Sequence, residues 1–139
     1  MRLETTTLER HTSPGTDIHD LSRDLESFVA ASGIAEGWVM LFVPGSTAAL
    51  TTIEFEPGAV HDFQRAIERL APENAENEHN LRWGDGNGYS HVRAALLGPS
   101  LVLPVTAGRP ETGTWQQVIL CDFDNRPRER RILVQVMGP

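Results

Sequence analysis

The sequence contains no lysine; all 12 of its basic residues are arginines. That absence excludes Schiff-base catalysis and the lysine of a phosphate-binding P-loop. Cysteine is nearly as scarce. The lone Cys121 rules out a disulfide within the chain and a cysteine-built zinc cluster. No apolar run approaches the roughly 20 residues of a membrane span. The N-terminal MRLETTTLERHTS also holds no secretory apolar stretch. A cytoplasmic location without a membrane partner is the expectation. Excess positive charge is missing too: 19 acidic residues leave a formal charge of −7, so no nucleic-acid partner is expected. Cationic chemistry must come from arginine, histidine or a bound metal.

At 139 residues, without repeats or low-complexity blocks, the chain reads as one domain, 1–139. Residues 2–10 are threonine-rich and predict an edge strand. Ile18, Leu21, Leu25, Phe28 and Val29 recur at helical spacing, which predicts a helix over 17–32, capped by Thr16 or Asp17 and ended by Gly33. WVMLFV reads as a strand covered on both faces, and residues 46–55 as a second strand. Pro57 opens a helix carrying Val60, Phe63, Ile67 and Leu70. The polar stretch 73–80 reads as a loop, and 91–97 as a short third helix. Strands follow at 100–106, 114–123 and 129–137, the last alternating around Ile132, Val134 and Val136. This order lacks regular βαβ alternation and predicts an α+β fold with a largely antiparallel sheet.

The most unusual local feature is WGDGNGYS, residues 83–90. Alternating glycines let successive N–H groups turn toward one point, an arrangement suited to phosphate. A tight structural turn, or a metal loop offering Asp85, accounts for the same pattern. His79 and His91 bracket it and suit either metal ligation or proton transfer; hydrogen-bonded structural histidines fit equally. Arg82, Arg93 and Arg109 flank the segment as phosphate partners, or as ordinary ion-pair residues. Arg126, Arg128, Arg130 and Arg131, among Asp122, Asp124 and Glu129, read as a solvated turn or a subunit contact. Trp115 reads as packing and Cys121 as an inert buried thiol.

Taken in order, PGSTAALTTIEFEPG, His79, WGDGNGYSHVRAALLGPS and TGTWQQVILCDFDNRPRERRILVQVMG closely resemble the YjbQ-like family. These small proteins are associated with a secondary thiamine-phosphate synthase activity. The resemblance covers essentially the whole chain. It implies an α+β fold and a homotrimer (or dimer of trimers) whose sheets pack around a threefold axis. Two positions depart from the family's pattern: Gly45 stands where many members carry histidine, and Tyr89 where histidine or aspartate is common. Thiamine-phosphate synthesis joins a pyrimidine pyrophosphate to a thiazole phosphate, which needs an anion cradle and usually a divalent cation. On this resemblance His79, His91 and Arg93 are the expected catalytic residues. Gly84, Gly86, Asn87, Gly88 and Arg109 would bind phosphate, and His79, Asp85 and His91 would hold Mg, Mn or Zn. The alternative is a non-enzymatic trimer binding a metal or a small phosphorylated metabolite.

Overall fold

Two-residue alternation in the strands decides how the layers stack. The computed structural model describes residues 1–139, in the order β1 (Arg2–Thr12), β2 (Asp17–Asp20), α1 (Ser22–Ser32), β3 (Gly37–Phe42), β4 (Ala48–Ile53), α2 (Pro57–Leu70), α3 (Glu78–Trp83), α4 (Gly88–Leu97), β5 (Ser100–Thr106), β6 (Arg109–Pro110), β7 (Gln117–Asp122) and β8 (Arg128–Gly138). One sheet runs β1-β8-β3-β5-β6 and the other β2-β7-β4. Every pairing is antiparallel, as the element order predicts.

Val39 and Leu41 of β3, Val105 of β5 and Ile132, Val134 and Val136 of β8 share one face of the larger sheet. They pack against Leu50 of β4, Val118 and Leu120 of β7, and Leu21, Leu25 and Val29 around α1. The intervening residues of the smaller sheet, Ala49, Ile119 and Cys121, turn the other way. There they meet Ile67 of α2 and Ala94 of α4. The result is sheet on sheet on helices, with β7 buried on both faces. That explains its unbroken apolar run.

The outer face of the larger sheet has no layer over it. Trp38 lies in register with Met137 and Pro104, and Met40 with Gln135 and Val102. Leu3, Trp38 and Val102 remain 52%, 45% and 63% exposed.

Several elements differ from the sequence reading. Residues 17–20 form β2, paired with Ile119–Asp122, and α1 starts only at Ser22. Its first N–H is met by the Asp20 carboxylate at 2.9 Å, so neither Thr16 nor Asp17 caps it. The stretch ending 73–80 contains the start of α3, and α4 begins three residues before His91. There are thus four helices rather than three. By contrast α2 starts at Pro57 as expected, with the Glu56 carboxylate accepting from the N–H groups of Gly58 and Ala59 at 2.7 and 2.8 Å. Those two bonds hold the Glu56 carboxyl below its ordinary value. No helix is long and apolar enough to cross a membrane.

Candidate functional site

The alternation of β8 runs on past its apolar residues. Stepping back by twos from Ile132 reaches Arg130 and then Arg128, on the face that packs against the smaller sheet. Stepping forward from Leu120 in β7 reaches Asp122 and Asp124 on the opposing face. The two series meet at one end of the sandwich. Arg130 Nε donates to Asp122 Oδ2 at 2.6 Å, and Arg128 Nε to Asp124 Oδ2 at 3.0 Å. The hydroxyls of Thr12 and Thr47 donate to Asp122 and Asp124 at 2.7 and 2.8 Å. Both aspartates are fully buried. Burial alone would push the Asp124 carboxyl up. Bonds from the Thr47 hydroxyl, the Arg128 guanidinium and the Arg126 N–H outweigh it and hold that carboxyl below its ordinary value.

A cavity of about 340 Å³ opens over this network. Gly45, Ser46 and Thr47 form one wall, Asp85, Asn87 and His91 another, and Arg126, Arg128 and Arg130 a third. Asn87 is buried at the start of α4. Its side-chain oxygen accepts from the Ser90 hydroxyl at 2.7 Å and the Asn125 N–H at 3.2 Å. The His79 and His91 rings lie 4.4 Å apart, tilted by 45°. His79 Nδ1 sits 3.4 Å from Asp85 Oδ1, close enough for charge attraction. It lacks hydrogen-bond geometry, so this buried nitrogen has no partner. The structure therefore brings His79, Asp85, Asn87 and His91 together.

Three N–H groups of the glycine-rich turn are bonded within the protein rather than free for a ligand. The Asn87 N–H goes to Asp85 Oδ1 at 3.1 Å, the Gly88 N–H to Asn80 Oδ1 at 2.8 Å, and the Gly84 N–H to the Asn80 carbonyl at 2.8 Å. Gly88 is required by crowding, since a Cβ there would fall 2.8 Å from Asn77 Cβ. Backbone donors of Gly84, Asn87 and Gly88 are thus spent on the turn itself, and the cavity sees side chains instead.

Arg93 is also elsewhere. It is 1% exposed inside the helical layer, donating to the Ala71 carbonyl at 2.9 Å, to Thr16 Oγ1 at 2.9 Å and to Glu68. Its guanidinium lies 4.7 Å from the Tyr89 ring centre. Burial first, then the negative charge of Glu73, pushes the Tyr89 hydroxyl up to about 12. Arg93 is a clamp between α4 and α2, not a phosphate ligand. Arg109 lines a different groove with Ser22, Glu26 and Thr114, and Arg82 lies along the outer side of α3. Cys121 is buried and pushed up to about 12 by that burial, an inert thiol as expected. No three His, Cys, Asp or Glu side chains converge as a metal set. His79 approaches both Asp85 and His91, but the three do not form the converging three-donor cluster expected of them.

The whole chain from residue 6 to 139 matches the family described as UPF0047 protein YjbQ-like. The chain belongs to this family. A UPF0047 protein of Methanothermobacter thermautotrophicus is 35% identical over 138 residues, covering 99% of this chain and 94% of that protein. A solved YbjQ-like protein of unknown function from Sulfolobus solfataricus P2 has a TM-score of 0.88 and 31% identity, covering 99% and 100% of the two chains. A hypothetical protein from Aeropyrum pernix K1 has a TM-score of 0.90 and 29% identity, covering 98% and 99%.

In this UPF0047 protein the arginines that line the cavity are Arg126, Arg128 and Arg130, which the sequence pattern reads as a solvated turn or subunit contact. Their parity with Ile132, Val134 and Val136 was the available signal. A strand that buries every second residue carries two arginines inward unless it ends first, and inward arginines need buried acids opposite.

Proposed function

We propose that the cavity over Arg126, Arg128 and Arg130 binds a phosphorylated small molecule and that the protein acts as a thiamine-phosphate synthase-type transferase. The observation carrying this reading is the convergence of three arginines with His91 and Ser46 on one cavity in a chain without lysine. The family resemblance supplies the reaction. The thiazole nitrogen attacks the methylene carbon of the pyrimidine, the carbon–oxygen bond to pyrophosphate breaks, and pyrophosphate leaves with the bonding pair. Arginines stabilise the charge that develops on the departing group. In this reading His91 acts as a general acid and donates a proton to the departing pyrophosphate.

Purified protein supplied with both substrates and magnesium or manganese should form thiamine phosphate. His91→Ala should slow it by roughly 100-fold or more, the usual scale for losing an acid–base group. No product from the wild type, or equal rates for the variant, overturns the enzymatic reading. The second reading is a binding protein for a phosphorylated metabolite. It is favoured by Gly45 and Tyr89, which stand where histidine or aspartate is common in the family. Calorimetric binding of thiamine phosphate or pyrophosphate without turnover would support it.

The resemblance implies a homotrimer, and the uncovered, largely apolar sheet face leads us to propose further that its copies meet through β3, β5 and β8.

A further inference from the structure

Arg130 is 8% exposed, and most of its guanidinium is committed. Nε is bound to Asp122, and Nη2 donates to Thr47 Oγ1 at 2.6 Å and to Asp122 Oδ1 at 3.3 Å. Nη1 donates to no group of the chain. Gly45 faces it: a Cβ built there would fall 2.7 Å from Nη1, and Gly45 has φ +125°, a conformation that side chains rarely adopt. Any other residue would shut this approach or displace the guanidinium. Gly45 thus leaves a fixed cation donor open to a ligand at the cavity wall.

Two cavities meet at this point, sharing Gly45, Ser46 and His91. One is the arginine-lined cavity. The other, about 290 Å³, is walled by Ala48, Ala94, Ala95, Gly98 and Pro99, with His91 as its one ionisable group. Of the cavity's two carboxylates, Asp124 is bonded by Thr47 and Arg128, whereas Asp85 has only His79 at 3.4 Å, so an anion is disfavoured beside Asp85. The anionic end of a ligand therefore belongs at Arg130. A non-polar end is accepted on the alanine side, where its removal from water is favourable.

We propose that Gly45 and Arg130 form an anion-recognition corner for the phosphoryl group of a phosphate ester. The ester's compact apolar body lies in the alanine-lined lobe, with His91 between the two. This rests on the reading of the cavity as a phosphate site and adds the recognising residue and the class of ester. Asp122 and Thr47 hold the guanidinium in place before the ligand arrives, so binding costs no reorganisation of that side chain.

Calorimetry on the full chain with inorganic phosphate, phenyl phosphate and phenol tests it. Phenyl phosphate should bind about tenfold more tightly than phosphate, because the ring is removed from water. Phenol should not bind measurably. Gly45→Ala should weaken phosphate and phenyl phosphate alike. Ala95→Phe, at an exposed position that does not threaten folding, should erase the preference for phenyl phosphate and leave phosphate affinity unchanged. Equal wild-type affinities for the two anions would overturn the apolar lobe. A Gly45→Ala protein that melts as a folded chain and binds both as the wild type does would overturn the corner. If the wild type binds phosphate while neither substitution matters, this inference fails and the phosphate reading stands. If it binds neither anion, both fail.

Discussion

Asp122 and Asp124 show what a single residue can be asked to do at the open end of a two-sheet core. Neither has any contact with solvent, and each is stabilised by an arginine and a threonine hydroxyl. Desolvating such charges is expensive, and the arrangement pays only while complete. Asp122→Ala would leave Arg130 buried without its principal anion. It should lower stability by about 3–5 kcal/mol, read by urea denaturation. Asp124 makes a separate, pH-dependent contribution. Because the folded state holds its carboxyl below the ordinary aspartate value, its stabilising effect is fully present above that ordinary value. It fades as the pH falls through the lower folded-state value. Asp124→Asn should flatten that acid-side loss in denaturation curves collected between neutral pH and pH about 2; an unchanged acid limb would show that another carboxylate governs it.

At the scale of elements, Arg93 joins three segments: α4 through its own backbone, α2 through Glu68 and Ala71, and the turn before β2 through Thr16. Arg93→Met keeps the volume but leaves the Ala71 carbonyl without its donor. About 1–3 kcal/mol of stability should be lost, with phosphate affinity unchanged. Loss of phosphate binding at unchanged Tm would contradict this clamp role. The helix α2 was legible in the sequence because Pro57, the apolar spacing to Leu70 and the stop at Pro72 agree with one another. The start of α1 was not, because Ile18 and Leu21 satisfy a helical period while also fitting a strand that runs into the helix. Leu21 still donates its N–H to the Val118 carbonyl at 2.8 Å, as a strand residue would. The helix α3 escaped notice because it buries no residue: its Leu81 and Trp83 are exposed, so no apolar stripe marks it. At the site, His79, Asp85, Asn87 and His91 were legible from clustering in sequence. The arginines that join them arrive from β8 and the turn before it, about 40 residues away, and only strand parity connects them to the cavity.

The whole molecule exposes all three of its tryptophans, Trp38, Trp83 and Trp115 at 45%, 70% and 73%. Trp38 is set apart from the other two by its neighbours. It stands in an apolar row between Met137 and Pro104, on a sheet face where Met40 and Val102, beside Gln135, form the next row. Single exposed apolar residues are ordinary, whereas a contiguous apolar sheet face marks an interface. A trimer built on that face would cover it and would leave the arginine cavity, at the far end of the sandwich from β6, to be completed or shielded by neighbours. Light scattering during gel filtration should give three times the chain mass of 15.4 kDa. Met40→Glu places a charge in the middle of the face without touching the core. It should convert the protein to monomers and shift tryptophan emission to the red as Trp38 meets water. A monomeric wild type, or a trimer indifferent to Met40→Glu, would exclude this face as the contact. The catalytic assay repeated on a Met40→Glu monomer then separates two roles for assembly: unchanged turnover means each subunit owns a complete site, and lost turnover with intact phosphate binding means the neighbour supplies part of it.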